Sequence, residues 1–232
     1  MHPMIFRVKK MKETTWYIVP TITPNILRHC SKCNRKMPYY CSEKFRANAN
    51  QSRVDIWLIY KCTKCDNTWK LTLYKGMRPH ELPEGLFDKF VNNDVNLAWQ
   101  YAFNRNFLKQ HGYTVDYTNV DYTVHQNEQN LPSRHCEEYS DEAIQGFGLL
   151  RYARNDEHRI AKDCRGNDAF LLHVKGSYSF DLKLSALLAR VLDTSIGQIK
   201  RLAESGRIST SLDIDIMKYR IKSEHDISIR IE

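Results

Sequence analysis

Four cysteines at regular spacing are the residues of this sequence with the clearest chemistry. Cys30 and Cys33 form one Cys-x-x-Cys pair, and Cys62 and Cys65 form a second pair after a gap of 28 residues. Two such pairs suit zinc, because each short turn directs two thiolates at one ion from the same side. A single pair would also fit a redox thiol site, but that chemistry uses a pair at a helix N-terminus, and neither pair here begins a recognisable helix. The two pairs together predict one zinc ion.

The other cysteines do not complete a second site. Four thiolates fill a tetrahedral shell and leave no position for water or substrate, which favours a structural ion over a catalytic one. Cys41 can either replace one of the four ligands or be a buried bystander, and the second interpretation is favoured. Cys136 and Cys164 have no partner at ligand spacing.

The residues on both sides of Cys62 and Cys65 predict a β-hairpin. Apolar and polar residues alternate from Val54 to Tyr60 and again from Trp69 to Leu73, which is the period of a strand with one buried face. The second cysteine pair then lies in the hairpin turn and forms one knuckle of a zinc ribbon. The gap of 28 residues exceeds the usual roughly 15 to 20, and a further hairpin in residues 38–50 would account for the excess.

Basic residues are concentrated in the first half of the chain. The net charge is +8, with 19 Lys and Arg against 8 Asp and Glu in residues 1–110, and 16 against 19 in residues 111–232. Aromatic residues alternate with the basic ones, and such a surface suits a polyanion, because cations neutralise phosphates and flat rings stack on bases. The alternative is that the rings belong to the core and the lysines are merely solvated. The candidate nucleic-acid contacts in this half are Lys36, Lys44, Arg46 and Arg53.

The pattern changes to helical spacing after Pro83. Apolar residues recur every three or four positions from Leu86 to Phe107. Asp94 is placed to cap a second helix and Gly112 to end it. We expect this apolar stripe to be a core face that packs on the ribbon.

Residues 131–169 differ in character from the rest. The string SRHCEEYSDEAIQGFGLLRYARND resembles the translated product of a palindromic repeat inserted in frame into a host gene. The segment has 6 basic and 8 acidic residues and weak periodicity, so we expect a surface segment without selected chemistry.

Residues 170–232 predict a small α/β module with two short helices. Helical spacing covers residues 184–192 and 196–202, and Ser195 with Gln198 has the form of a capping box. The module resembles the αL RNA-binding domain named after a ribosomal small-subunit protein, although Ile196 stands where that family has arginine. The resemblance implies phosphate contacts by the basic residues Lys183, Lys200, Arg201 and Arg207. The alternatives are a helical hairpin with solvated charges and a helix-turn-helix that reads DNA.

A second resemblance covers nearly the whole chain outside residues 131–169. The string KFRANANQSRVDIWLIYKCTKCDNTWKLTLY, with RHCSKC before it and the helices after it, is similar to a bacterial family called domain of unknown function 1062. The resemblance implies that the cysteine-rich part and the C-terminal module belong to one architecture, and it implies no activity.

These patterns together predict an α+β protein in four parts. A β-rich zinc ribbon occupies residues 1–80, a helical segment and a strand that pack on it residues 81–130, the inserted segment residues 131–169, and the αL-like module residues 170–232. Residues 1–13 lack the apolar run of a signal peptide, and no run of about 18 apolar residues occurs. We therefore expect a soluble protein of the reducing cytoplasm with no membrane partner.

The predicted function is that of a non-enzymatic, zinc-stabilised protein that binds structured or ribosomal RNA. A DNA-binding transcriptional regulator and a zinc-stabilised protein-interaction adaptor are the two alternatives. An enzyme is the least supported class, because the sequence contains no phosphate-binding glycine-rich loop, no open metal site and no nucleophile with a recognisable base.

Overall fold

A computed structural model of the protein describes residues 12–50, 53–126, 170–212, 214–222 and 227–231. Within these residues the chain forms ten strands in two five-stranded sheets, together with five α-helices, so the predicted α+β class is confirmed. The strands are β1 (Lys12–Pro20), β2 (Asn25–Cys30), β3 (Arg35–Asn50), β4 (Arg53–Cys62), β5 (Thr68–Met77), β6 (Thr114–Asp116), β7 (Tyr122–His125), β8 (Phe170–Gly176), β9 (Ile208–Thr210) and β10 (Ile227–Ile231). The helices are α1 (Leu86–Val91), α2 (Val95–Phe103), α3 (Arg105–Gln110), α4 (Leu184–Val191) and α5 (Ile196–Glu204).

The chain divides into two compact units. The antiparallel unit comprises residues 21–121 and contains a sheet in the order β5-β4-β3-β2-β6. The mixed unit comprises the described parts of residues 12–20, 122–126 and 170–231 and contains a sheet in the order β7-β1-β8-β10-β9.

The side chains of β4 show which face of the antiparallel sheet is buried and which is solvated. Its side chains alternate strictly, with Val54, Ile56, Leu58, Tyr60 and Cys62 buried and the residues between them at least partly exposed. Successive strand residues point to opposite faces, so the alternation in the sequence translates directly into one buried and one solvated side. We call the solvated side, which carries Arg53, Asp55, Trp57, Ile59 and Lys61, the outer face.

Helices cover the buried face of this sheet. The ring of Phe90 in α1 lies 4.9 Å from that of Phe45 in β3 and 5.8 Å from that of Tyr74 in β5. As predicted, Asp94 caps α2 by accepting a hydrogen bond from the backbone N–H of Leu97 at 2.9 Å. The apolar stripe after Pro83 is therefore a core face.

The second helix is shorter than the sequence predicted. Spacing alone indicated one helix up to Gly112, but α2 ends at Phe103 and α3 begins at Arg105. The break occurs because the Asn104 side chain accepts a hydrogen bond from the backbone N–H of Phe107 at 3.0 Å and caps a new helix.

Residues 35–50 form a single strand rather than the further hairpin that we expected. Residues 35–39 of β3 pair with β2 and residues 39–50 pair with β4. The register shifts between Cys41 and Phe45, where Glu43 has a left-handed backbone conformation with φ of 59°. A bulge of this kind inserts extra residues without ending the strand, so one long strand accounts for most of the gap between the two cysteine pairs.

The mixed unit joins distant parts of the chain. Strand β1 runs parallel to β8, with Trp16 opposite Val174, and β8 pairs antiparallel with β10. Residues 12–20 thus share a sheet with the C-terminal strands, whereas the sequence patterns placed them in the ribbon of residues 1–80. Alternation of apolar residues identifies a strand but not its partner across about 150 residues.

The core of the mixed unit includes the predicted helix pair. Leu184, Leu187, Leu188 and Val191 of α4 are fully buried, as is Ile199 of α5. Ser195 caps α5 by accepting a hydrogen bond from the backbone N–H of Gln198 at 3.1 Å. Both helices expected from the sequence are therefore present.

Two further expectations concern the proposed insertion and membrane-spanning helices. The proposed insertion at residues 131–169 lies outside the described residues. In the part of the chain that the structure describes, no helix is long and apolar enough to cross a membrane.

Candidate metal centre and nucleic-acid interface

The topology of the antiparallel sheet brings the two cysteine pairs to the same end. Cys30 is the last residue of β2 and Cys62 is the last residue of β4. Because β3 runs antiparallel to both strands, the turn after β2 and the turn after β4 lie next to each other, with Tyr39 opposite Cys62. Each turn contains one residue with positive φ, Asn34 at 50° and Asp66 at 53°, and asparagine and aspartate are among the residues that tolerate this conformation best.

The four sulfur atoms have the spacing of a metal-ligand set. All four Sγ atoms lie within 4.8 Å of one another. The Sγ atoms of Cys30 and Cys65 are 3.5 Å apart, and those of Cys33 and Cys62 are 3.9 Å apart. Four sulfurs at about 2.3 Å from a tetrahedral ion are about 3.8 Å from each other, whereas a disulfide would need about 2.05 Å. The predicted ligands are therefore brought together in an arrangement compatible with a structural metal site.

Neighbouring side chains connect the two turns. The Asn67 side-chain N–H group lies 3.9 Å from the Cys30 sulfur, 3.4 Å from the Ser31 hydroxyl and 3.5 Å from the Tyr39 hydroxyl. The backbone N–H of Cys62 donates to the Asn67 carbonyl at 3.0 Å. Asn67 therefore holds the second turn against the first, which is the role of an outer-shell residue in metal sites.

The thiols of the cluster differ in acidity. A hydrogen bond from the Tyr39 side chain lowers the pKa of Cys30 to about 5. The hydrogen bond with Cys65 raises the pKa of Cys33 to about 12, and burial adds to this increase. A thiolate is the form that binds metal, so an ion that binds all four sulfurs displaces the remaining thiol protons.

An arginine beside the cysteine cluster escaped the sequence analysis. The Arg28 guanidinium carbon lies 4.2 Å from the centre of the Trp69 ring and 5.6 Å from that of Tyr39. Arg28 therefore places a positive charge near Tyr39, whose hydroxyl lies 3.5 Å from the Asn67 amide beside the cluster. Four thiolates with one divalent ion would carry a net charge of −2, which a nearby positive charge stabilises. No spacing rule identifies such a residue, because its two partners lie on two other strands, β3 and β5.

Cys41 lies outside this cluster. It is only 7% exposed and packs in the apolar core of the unit. Burial raises the pKa of its thiol to about 12, and its sulfur accepts a hydrogen bond from the backbone N–H of Glu43 at 3.4 Å. Its position agrees with the bystander interpretation.

The outer face of the same sheet carries basic and aromatic side chains. Arg46 lies directly opposite Trp57, and Lys70 lies directly opposite Ile59. The Lys70 ammonium is 5.2 Å from the centre of the Trp57 ring. Lys61 lies opposite Tyr40. Directly opposite residues share a face of a sheet, so these side chains form one continuous surface.

Three of the four N-terminal candidates lie on this surface. Lys36 and Arg46 of β3 and Arg53 of β4 belong to the outer face, and all three are exposed. Arg53 donates a hydrogen bond to the carbonyl of Gly76 at 3.2 Å. Lys44 is exposed and lies in the bulge of β3.

Most of the aromatic residues of this half are core residues instead. Tyr39, Phe45 and Tyr60 are buried, and Trp69 packs against Tyr39 and Tyr60 on the inner side of the sheet. On the outer face Trp57 and Tyr40 are partly exposed. The sequence pattern thus combined buried inner-face rings with partly exposed outer-face rings. Only the strand register shows which ring lies on which face.

The C-terminal candidates are exposed but not equivalent. Lys183 precedes α4, Lys200 and Arg201 lie in α5, and Arg207 follows it. The Lys200 ammonium lies 3.7 Å from a carboxylate oxygen of Glu204, and this exposed pair is worth little. All four remain on the surface of the mixed unit.

A chain of hydrogen bonds in the mixed sheet was also invisible in the sequence. The Nε2 atom of His173 lies 2.7 Å from a carboxylate oxygen of Glu13, and its Nδ1 atom lies 2.9 Å from the Ser228 hydroxyl. The three residues come from β8, β1 and β10. These side-chain contacts link the three strands to one another.

Comparison with known proteins gives one match. A family model described as protein of unknown function (DUF1062) matches residues 47–143. The matched residues include Cys62, Cys65 and Trp57, which supports the family resemblance seen in the sequence. No curated protein and no solved structure matches the chain.

Proposed function

We propose that this protein is a non-enzymatic, zinc-stabilised nucleic-acid-binding protein with structured RNA as its partner. Zinc fits the cysteine cluster best, because four soft thiolates within 4.8 Å of one another suit this ion and would fill its four-coordinate shell without an open position for catalysis. A reducing compartment such as the cytoplasm would keep the four thiols free to bind it.

The observation that carries the proposal is the charge of the antiparallel sheet. Residues 21–78 contain 12 Lys and Arg against 3 Asp and Glu. Within the described parts of the chain, no carboxylate lies at ion-pair distance from Lys36, Arg46 or Lys70. Cations that are not neutralised by the protein itself are available to phosphates.

The kinds of element that carry the basic residues, a short helix and a broad sheet surface, favour RNA rather than duplex DNA as the partner. The helix α5 has few side chains able to read base edges in a major groove beyond Gln198, Lys200 and Arg201. A broad sheet surface with partly exposed rings suits RNA, whose unpaired bases can stack on aromatic side chains.

The basic residues of the mixed unit supply a second, weaker contact. Lys183, Lys200, Arg201 and Arg207 are exposed, but residues 170–232 contain only 10 basic residues against 8 acidic ones. Two modest sites in one chain bind more tightly than either alone, because the second contact forms at high effective concentration.

The decisive experiment measures affinity for a structured RNA and for a duplex DNA of the same sequence across a salt series. We expect tighter binding to RNA, with a slope of log K against log salt of about −3 or steeper, since several phosphates are neutralised. Replacement of Lys36, Arg46 and Arg53 by alanine should flatten this slope more than replacement of Lys183, Arg201 and Arg207.

The competing functions give different results. Tighter binding to duplex DNA would favour a transcriptional regulator. Weak binding to both nucleic acids with a shallow slope would overturn the proposal and leave a zinc-stabilised protein adaptor as the better description.

A further inference from the structure

The outer face has an aromatic centre that the proposed function does not by itself require. Trp57 lies in the middle of β4, which is flanked by β3 and β5 on either side. Trp57 is partly exposed on the outer face, whereas Trp16 and Trp99 are buried and the partly exposed Trp69 packs against the core on the inner face. A large ring left partly in water on a sheet surface is a feature of binding sites.

Two cations lie beside this ring, one on each neighbouring strand. Arg46 lies directly across from Trp57 on β3, and the Lys70 ammonium is 5.2 Å from the ring centre on the β5 side. A base that stacks on the ring would bring its flanking phosphates toward these two side chains. Neutral ligands would gain nothing from them, so the charge selects a polyanion.

A second ring extends the surface along the strand. Tyr40 lies directly opposite Lys61, and Lys61 follows Trp57 by four residues on β4. From the strand rise and the spacing between strands, the Cα atoms of Tyr40 and Trp57 are about 14 Å apart. Ile59 occupies the position between them on the same face. The surface is therefore long enough for more than one base, with rings at its two ends and basic groups along its sides.

We propose that the outer face binds a single-stranded segment of RNA, with one base stacked on Trp57 and the backbone held by Arg46 and Lys70. The inference rests on the proposed function, because it assumes that nucleic acid is the partner, and it adds which part of the RNA is bound and where. Paired bases are stacked on one another and cannot offer their faces to a ring, so the site excludes a fully paired duplex.

The test compares a fluorescently labelled oligouridine with a fully paired RNA duplex of the same length. Wild-type protein should bind the single strand more tightly. Trp57→Ala should weaken single-strand binding by about 5- to 150-fold, the effect of losing one base–aromatic stack, and Trp57→Phe should lose less because it keeps a ring. Lys89→Ala, which removes an exposed cation from α1 behind the sheet, is the matched control and should change binding little.

A second variant makes the test independent of any effect of Trp57 on folding. The double replacement of Arg46 and Lys70 by alanine leaves the core untouched, and it should reduce the salt slope for the single strand by about 1 to 2.

The outcomes separate this inference from the proposed function. If wild-type protein binds RNA but Trp57→Ala and the double variant bind the single strand as wild type does, the outer face is not the site and the RNA-binding function stands. A preference for the paired duplex would also overturn the single-strand inference. Failure to bind either RNA would overturn both.

Discussion

The two units of this protein differ in the features that can stabilise them. Both contain five strands, but the antiparallel unit ends in a cluster of four cysteines, whereas the mixed unit has a helix pair whose leucines are fully buried. The antiparallel unit also leaves one sheet face rich in cations, which repel one another and add no apolar burial. A metal ion bound at the cysteine cluster would add its binding free energy to the stability of this unit.

The largest expected effect concerns the metal. Chelation, or Cys62→Ser, should unfold the antiparallel unit, because a structural zinc contributes about 10 kcal/mol and a typical domain is stable by only about 5 to 15 kcal/mol. Loss of near-UV circular dichroism from the packed rings, together with a lower thermal midpoint, would report the unfolding.

Cys41→Ser is the matched control for that experiment. Cys41 lies in the same unit but outside the cluster, so this variant should keep one equivalent of zinc by elemental analysis. A metal-free protein that kept its near-UV signal and its thermal midpoint would show that the cluster does not stabilise the fold.

A smaller effect is expected from the core of the mixed unit. Leu188 of α4 is fully buried, and Leu188→Ala should lower the free energy of unfolding by about 2 to 5 kcal/mol through lost burial and the cavity left behind. Urea unfolding measures this change, and the zinc content should stay at the wild-type value. Ile196→Ala, at a position that is 49% exposed in the next helix, should change stability far less.

Two other results with these variants would contradict the expected difference between the units. If Leu188→Ala also abolished zinc binding, the two units would unfold as one cooperative body, and the metal would stabilise the mixed sheet as well. Equal effects of Leu188→Ala and Ile196→Ala would contradict the burial of α4.

The sequence predicted local features well and long-range pairing poorly. The two cysteine turns, the Asp94 and Ser195 caps and the strands beside Cys62 follow from spacing over a few residues, because turn chemistry and side-chain alternation are local. The pairing of β1 with β8 depends on contacts across more than 150 residues, and no local pattern encodes a partner.

The candidate site shows the same limit. Alternation indicated that Trp57 and Trp69 belong to strands, but their different surroundings, one on the outer face and one in the core, depend on the registers of β3, β4 and β5. Arg28 and His173 were missed for the same reason, since each acts through residues from neighbouring strands.

The smallest expected effect concerns the polar link between β1, β8 and β10. The side chains of His173 and Glu13 are 25% and 67% exposed, so solvent screens their interaction, and pairs of this kind contribute less than about 1 kcal/mol. Glu13→Gln and Ser228→Ala should each lower the free energy of urea unfolding by no more than that. Ser209→Ala, on the exposed side of β9 in the same sheet, provides the matched serine control. A loss of about 3 kcal/mol in Ser228→Ala alone would show that the mixed unit, too, depends on a polar cluster, and the distinction between a metal-stabilised unit and one stabilised by its apolar core would then be one of degree.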